Sequence, residues 1–245
     1  MEDAFLSQAI FRTEDIIGNF SGKRSMQLRL KNLIDDGRVA KIKNGLYATV
    51  NPLTGDIFAN RFEMASALFE NACVAYHSAL EFYGLGNQVY SEVYVFTDNR
   101  NVPFEYGGLE YKFFLPKIKE GVSHLEHNAS IAVTNLERTI IDCFDRIDLA
   151  GGLEELVTAI SGITYLNEEL LADYLKEYGK KFLYKKAGFL LSLLKSELLS
   201  QKFFDLCKSN LSAKIDDISE NKMLPRRTNR EWGIMYPATL INTEN

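Results

Sequence analysis

The chain has 245 residues, 46% of them hydrophobic and 25% charged, with a formal net charge of −5. This is the composition of an ordinary globular protein with room for a small and a larger domain, and it excludes a disordered, collagenous or disulfide-stapled chain. No apolar run approaches the roughly 20 residues of a membrane span, and the acidic start Met1-Glu2-Asp3 lacks the basic flank and apolar core of a secretory signal, so a cytoplasmic protein with no membrane partner is expected.

The first informative stretch runs from Thr13 to Val50. A helical pattern over Thr13 to Phe20 breaks at Ser21-Gly22, and a second helix follows. Met26, Leu30, Leu33 and Ile34 recur at i, i+4, i+7 and i+8, which makes one apolar stripe facing Ile16, Ile17 and Phe20. Gly37, after Asp35-Asp36, suits a left-handed helix cap. Val39 to Ile42 and Leu46 to Thr49 read as strands joined by the hairpin turn Asn44-Gly45. Helix, turn, helix and hairpin in that order spell a winged helix-turn-helix, whose second helix usually enters the DNA major groove.

The outward face of that second helix carries phosphate and base-edge chemistry. Lys23, Arg24 and Lys31 are cations; Ser25, Gln27 and Asn32 can hydrogen-bond, the two amides as bidentate partners of adenine; Leu28 suits a thymine methyl. Lys41, Lys43 and Asn44 lie on or beside the wing tip and complete the expected DNA-binding set. The net charge does not oppose this reading. Residues 21–45 hold 7 basic and 2 acidic side chains, and local sign governs phosphate attraction within a Debye length of about 8–10 Å.

Asn51-Pro52-Leu53-Thr54-Gly55 is turn-rich and reads as a linker, which predicts a DNA-binding domain over 1–51 and a second domain over 57–245. The second domain opens with strands and helices to about residue 160. Arg61 to Glu70 is helical; Val74 to Leu85 is a buried run that passes into a helix ending at Gly84. Val93 to Thr97, Leu109 to Leu115 and Ile131 to Val133 are strands, and Leu136 to Phe144 starts a helix capped by Thr134 or Asn135. Glu168 to Tyr178, Phe182 to Leu199 and Phe203 to Cys207 are helical, to about residue 215, and Glu231 to Tyr236 is a terminal strand. The predicted class is therefore α+β: an N-terminal winged helix-turn-helix, then a larger mixed α/β domain with a helical C-terminal part.

The order and spacing of several segments resemble the AbiEi family, the antitoxins of type IV toxin–antitoxin systems. The segments are the wing Lys43-Asn44-Gly45-Leu46-Tyr47, Tyr76-His77-Ser78-Ala79-Leu80 with Tyr83-Gly84-Leu85, Thr134 to Cys143, and Asp148-Leu149-Ala150-Gly151-Gly152. The resemblance covers nearly the whole chain. It implies a non-enzymatic abortive-infection antitoxin without a cofactor, whose winged helix represses its own operon and whose second domain neutralises a nucleotidyltransferase-like toxin, with or without a stable complex. The DNA partner would be an operator, for which inverted repeats are one form.

Charge suggests where a partner of the second domain binds. Residues 51–170 hold 7 basic and 18 acidic side chains, whereas 171–245 hold 13 and 9. Lys176, Lys180, Lys181, Lys185 and Lys186 interleave with aromatics, and Arg226, Arg227 and Arg230 precede Trp232. These eight are the expected antitoxin surface, the alternative being a solvated helix face.

Two other function classes remain open. Asp98 at a strand end, with Glu110-x-Lys112 on a neighbouring strand, is the set a metal-dependent nuclease uses to hold Mg²⁺ and orient water; the plain alternative is the solvent face of an alternating strand. A simple transcriptional regulator with a sensing or dimerising second domain is the other. No metal site is expected: His124-x-x-His127 lacks further ligands and reads as a loop, and Cys73, Cys143 and Cys207, far apart, odd in number and without a C-x-x-C pair, read as reduced buried thiols. His77, beside Ser78, is expected to be a hydrogen-bonded core histidine, and Arg138 a partner at i, i+4 for Asp142 that fixes a helix.

Overall fold

The computed structural model describes residues 3–99, 101–126, 130–219 and 222–240. The protein is α+β and divides into two compact units. One comprises the chain to Val74 with Ser91–Leu115 and Val122–Val133; the other comprises Ala75–Tyr90, Pro116–Gly121 and the chain from Thr134.

The first unit begins with a 3₁₀ turn at Ala4–Ser7, then β1 (Ile10–Arg12), α1 (Thr13–Ile16) with a 3₁₀ extension at Ile17–Asn19, α2 (Lys23–Asp35), β2 (Val39–Lys43) and β3 (Leu46–Thr49). These strands form an antiparallel sheet in the order β1-β3-β2. Met26, Leu30 and Leu33 of α2 are buried against Phe5, Phe11, Ile16 and Val39, and each such side chain contributes about 1.5–3 kcal/mol by leaving water. Ile34, expected in the same stripe, is 36% exposed: it sits at the stripe's margin in the last turn. The helix ends in a Schellman arrangement. The Gly37 N–H donates to Ile34 O and the Arg38 N–H to Leu33 O, both at 2.9 Å, with Gly37 at φ 69°. In the wing turn only Gly45 takes positive φ, 80°, and the ladder shifts register between Lys41 and Lys43, so the turn is a bulged one rather than a pair of left-handed residues.

The unit continues through α3 (Arg61–Ala67) into a six-stranded sheet of β4 (Cys73–Val74), β5 (Glu92–Phe96), β6 (Phe104–Tyr106), β7 (Leu109–Phe114), β8 (Val122–Glu126) and β9 (Ser130–Thr134), in the order β6-β7-β5-β4-β9-β8. β5 is parallel to β7 and antiparallel to β4. Sequence periodicity does not reveal β1, β6 or β8, which are short or lack a buried alternating face.

The 51–57 segment is not a free linker between units. It lies inside the first unit, fastened by the Val50–Ile57 bridge and by the Phe58 N–H on Thr49 O at 2.9 Å. Turn-forming composition marks a change of direction, and here the chain turns back on itself.

The second unit is mostly helical: α4 (Tyr76–Phe82), α5 (Leu136–Asp145), α6 (Leu153–Ser161), α7 (Glu168–Tyr178), α8 (Lys181–Leu194) and α9 (Gln201–Ser209). A small sheet of β10 (Asp216–Asp217), β11 (Arg226–Asn229) and β12 (Ile234–Pro237) follows, in the order β10-β12-β11. Caps explain the sharp ends. Asn135 accepts from the Arg138 N–H at 2.9 Å; Asn167 accepts from the N–H groups of Glu169 and Leu170; Gly179 closes α7 at φ 61°.

Candidate nucleic-acid interface

With one face of α2 buried, the other stands in solvent. Lys23, Arg24, Ser25, Gln27, Leu28, Lys31 and Asn32 are all exposed. Leu28 is 62% exposed, an apolar group in the middle of a polar face. Among the described residues, no side-chain hydrogen bond or ion pair is formed by Lys23, Arg24, Gln27, Lys31 or Asn32. Arg29 is different: it is turned to the side and holds Asp3, its Nε 3.0 Å from Oδ1 and its Nη2 on Oδ2. That bond, with Arg38 nearby, keeps the Asp3 carboxyl below its ordinary value. Asp3 is thus paired, and the outward cations of α2 keep their field.

On the wing, Lys41 and Asn44 are exposed, but Lys43 is not available to phosphate. Its Nζ donates to the Leu68 carbonyl and sits 3.9 Å from the centre of the Phe69 ring. Arg12 does the same one residue earlier, Nη2 to Ala67 O at 2.7 Å. Two cations therefore cap the C-terminal carbonyls of α3, where the helix dipole favours positive charge. Burial, then the Arg12 charge, holds the Lys43 amine below its ordinary pKa. The expected DNA contact at Lys43 is corrected to a tether that fixes the wing.

The expected antitoxin surface also divides. Lys176, Lys180, Lys181, Arg226, Arg227 and Arg230 are exposed. Lys176 pairs with Asp173 at 3.1 Å and Arg226 with Asp217 at 2.7 Å. Lys185 and Lys186 are buried. Lys185 Nζ donates to Asp216 Oδ2 at 2.8 Å and to the Lys214 carbonyl, so it ties α8 to β10. Lys186 donates to Phe144 O at 2.5 Å and lies over the Phe182 ring; burial lowers its pKa to about 8. Both lie on the buried side of α8, which the interleaving of lysines with aromatics did not reveal. A cation that sequence did not suggest, Lys117, joins Lys180 on a single carboxylate: their amines reach Asp145 at 2.6 and 2.5 Å. Those positions are too far apart in the chain for spacing to reveal them.

The nuclease set is not brought together. In the parallel pair, Glu110 lies opposite Glu92 at the start of β5, whereas Asp98 follows its far end. The six steps of chain from Glu92 to Asp98, mostly strand, span up to roughly 20 Å. Lys112 is held by Glu92 and, at 3.3 Å, by Glu110; Asp98 accepts from Asn71 Nδ2 at 2.6 Å. Among the described residues no group of three or more His, Cys, Asp or Glu side chains could hold a metal. His124 lies on β8, not a loop, and His127 falls outside the described residues. His77 is buried with Nε2 3.0 Å from Glu155 Oε1, an oxygen that also takes the Asn87 and Gln88 N–H groups. Burial pushes the Glu155 carboxyl up, but these donors outweigh it and hold it below the ordinary value.

No family model matches the chain, and no curated protein does. A solved structure does match: the crystal structure of the RV2827C protein from Mycobacterium tuberculosis superposes with a TM-score of 0.64 over 96% of this chain and 89% of that one. At 11% identity, the chain is similar to that protein in fold alone.

Proposed function

We propose that the protein is a sequence-specific DNA-binding repressor that docks α2 in the major groove, with its wing against the flanking backbone. The observation that carries this reading is the uncommitted outer face of α2: amides, cations and one exposed leucine on a helix whose opposite side is locked in a core. Lys23, Arg24 and Lys31 would meet phosphates; Gln27 and Asn32 would read adenine edges; Leu28 would pack on a thymine methyl. Lys41 would reach a phosphate from the wing. The AbiEi resemblance extends the reading to an autorepressing antitoxin of a type IV system acting against a nucleotidyltransferase-like toxin. The exposed cations of the second unit, Lys117, Lys180 and Lys181, are where an anionic partner or acidic toxin face would be steered.

The test is selection of a DNA site followed by titration of Gln27→Ala/Asn32→Ala. The double variant should lose about 1–3 kcal/mol per base contact and discriminate the selected site less well. Unchanged affinity and selectivity would remove α2 from the interface. For the antitoxin half, co-expression with an adjacent nucleotidyltransferase-like gene product should restore growth only when this protein is present.

A further inference from the structure

A cavity of about 330 Å³ lies within the first unit, and the DNA reading does not use it. The volume is at the low end of the roughly 300–1,000 Å³ of small-molecule pockets, which suits a molecule of one or two rings. One wall is the β6–β7 hairpin. Both glycines of its turn, Gly107 and Gly108, take positive φ, 58° and 78°, and the hairpin pairs Tyr106 with Leu109 and Phe104 with Tyr111. Paired residues, and residues two apart, share a face of the ladder, so Tyr106, Leu109 and Tyr111 stand together on the side that lines the cavity. Met64 of α3, 1% exposed, and Ile57 add further apolar surface.

Two hydroxyls in this lining have nothing to bond. Tyr111 is 1% exposed, yet among the described residues its hydroxyl makes no hydrogen bond. The oxygen is not sealed in the core either, so it faces open space, which the cavity supplies. The Tyr106 hydroxyl is likewise without a partner among the described residues. Burial raises both phenols, that of Tyr111 to about 12, so each keeps its proton at neutral pH and can both donate and accept. Asn60, the N-cap of α3, uses its Oδ1 for the N–H groups of Phe62 and Glu63, at 2.9 and 3.0 Å. Its Nδ2 donors are uncommitted among the described residues, and it too lines the cavity. The two charges of the lining do not select the ligand. Arg61 donates Nη2 to the Glu92 carbonyl at 3.1 Å and is held within the fold, and Asp56 stands in solvent.

These groups define a ligand class. With no uncommitted cation in the lining, a phosphate gains nothing by entering. A hydrocarbon would close off both phenols without a bond, which is costly. A sugar would turn hydroxyls toward Met64, Leu109 and Ile57, which offer them no partner. A flat, uncharged ring system suits both halves of the lining: its faces pack on the apolar side chains, and nitrogen or carbonyl groups along its edge meet the two phenols and the Asn60 amide.

We propose that this cavity binds an uncharged nitrogen heteroaromatic of purine size, its ring edge hydrogen-bonded to Tyr106, Tyr111 and Asn60. The proposal is independent of the DNA reading. Calorimetric titration of the full chain with adenine and with hypoxanthine tests it. At least one should bind saturably at one site. Indole, equally flat but without an acceptor nitrogen, should bind at least tenfold more weakly. Adenosine 5′-monophosphate should bind no more tightly than adenosine. Tyr111→Phe keeps the ring and removes the hydroxyl. It should weaken the bound base by about 3- to 10-fold, yet unfold at or above the wild-type temperature, because the hydroxyl it removes bonds nothing in the fold. Tyr106→Phe should behave in the same way. No saturable binding of either base up to ~1 mM overturns the proposal. Wild-type affinity in Tyr111→Phe, indole binding as tightly as the bases, or a phosphate that tightens binding does the same. A lowered unfolding temperature in Tyr111→Phe would show that the hydroxyl serves the fold, and would also overturn it.

Discussion

Arg138 and Asp142 sit on one turn of α5 with almost no solvent on either, their Nε and Oδ2 3.3 Å apart. Such a pair is tolerated only when its remaining hydrogen-bonding capacity is filled. Here it is: Arg138 also donates to the carbonyls of Ile118, Lys119 and Glu120, and Tyr178 donates its hydroxyl to Asp142. The sequence expectation of an i, i+4 pair holds, but the arginine does more by gathering the 118–120 loop. Burial outweighs these partners and raises the Asp142 carboxyl to about 6. A carboxyl raised above its unfolded value of 3.8 favours the fold when protonated; its contribution is complete below about pH 3.8 and is lost as pH rises through about 6. Asp142→Asn keeps the acceptor and removes this titration. Relative to wild type, the variant should gain on the order of 2–3 kcal/mol as pH rises from about 4 to 7, readable by urea unfolding at both values. A change of the opposite sign would mean that Arg138 keeps Asp142 ionised well below pH 6. The lysines of α8 give a second comparison. Lys185→Glu should cost about 3–5 kcal/mol by breaking a buried pair, whereas Lys181→Glu, on the exposed side, should stay within about 0.5 kcal/mol in the same assay.

The hairpin of β2 and β3 shows how an element can be placed by groups that look like ligand contacts. Lys41 and Lys43 are two apart on one strand, so spacing alone puts both near a phosphate. The register shift after Lys41 turns Lys43 back onto α3. Removal of each should therefore have a different signature. Lys41→Ala should lower the slope of log K against log salt by about 0.9, the amount expected for one lost phosphate contact. Lys43→Ala should leave that slope unchanged while lowering the unfolding temperature, because the Leu68 carbonyl loses its partner. Equal flattening of the slope by both variants would place Lys43 on DNA.

At the scale of the molecule, chain order and spatial order diverge. The turn-rich segment after Val50 predicts a severable head, yet the elements from β1 to β3 and the six-stranded sheet fall in one unit, and the second unit draws in residues 75–90 and 116–121. A fragment over 57–245 would uncover the Ala67 and Leu68 carbonyls and lose the Thr49–Phe58 bond. It should melt at a clearly lower temperature than the full chain. A fragment that unfolds at the full-length temperature would restore the simple division at 51–57.

The sequence by itself determined the local elements whose signals are local: the buried stripe of α2, the Gly37 cap, the turn at Asn44-Gly45, and α7 between Asn167 and Gly179 at its observed bounds. Period and capping act within a few residues, so they survive in a linear reading. It also determined that α2 presents a polar outer face, because the opposite stripe can only turn inward. Only the tertiary structure decided which cations stay in solvent. Lys43, Lys185 and Lys186 read like their neighbours, but a carbonyl or carboxylate from 25 to 42 residues away removes each from the surface. The same holds for Asp98 and Glu110, whose separation depends on strand register, and for the cavity beside α3, whose walls come from the wing, α3 and the β6–β7 hairpin. Burial and pairing are set by contacts distant in sequence, and no spacing rule encodes them.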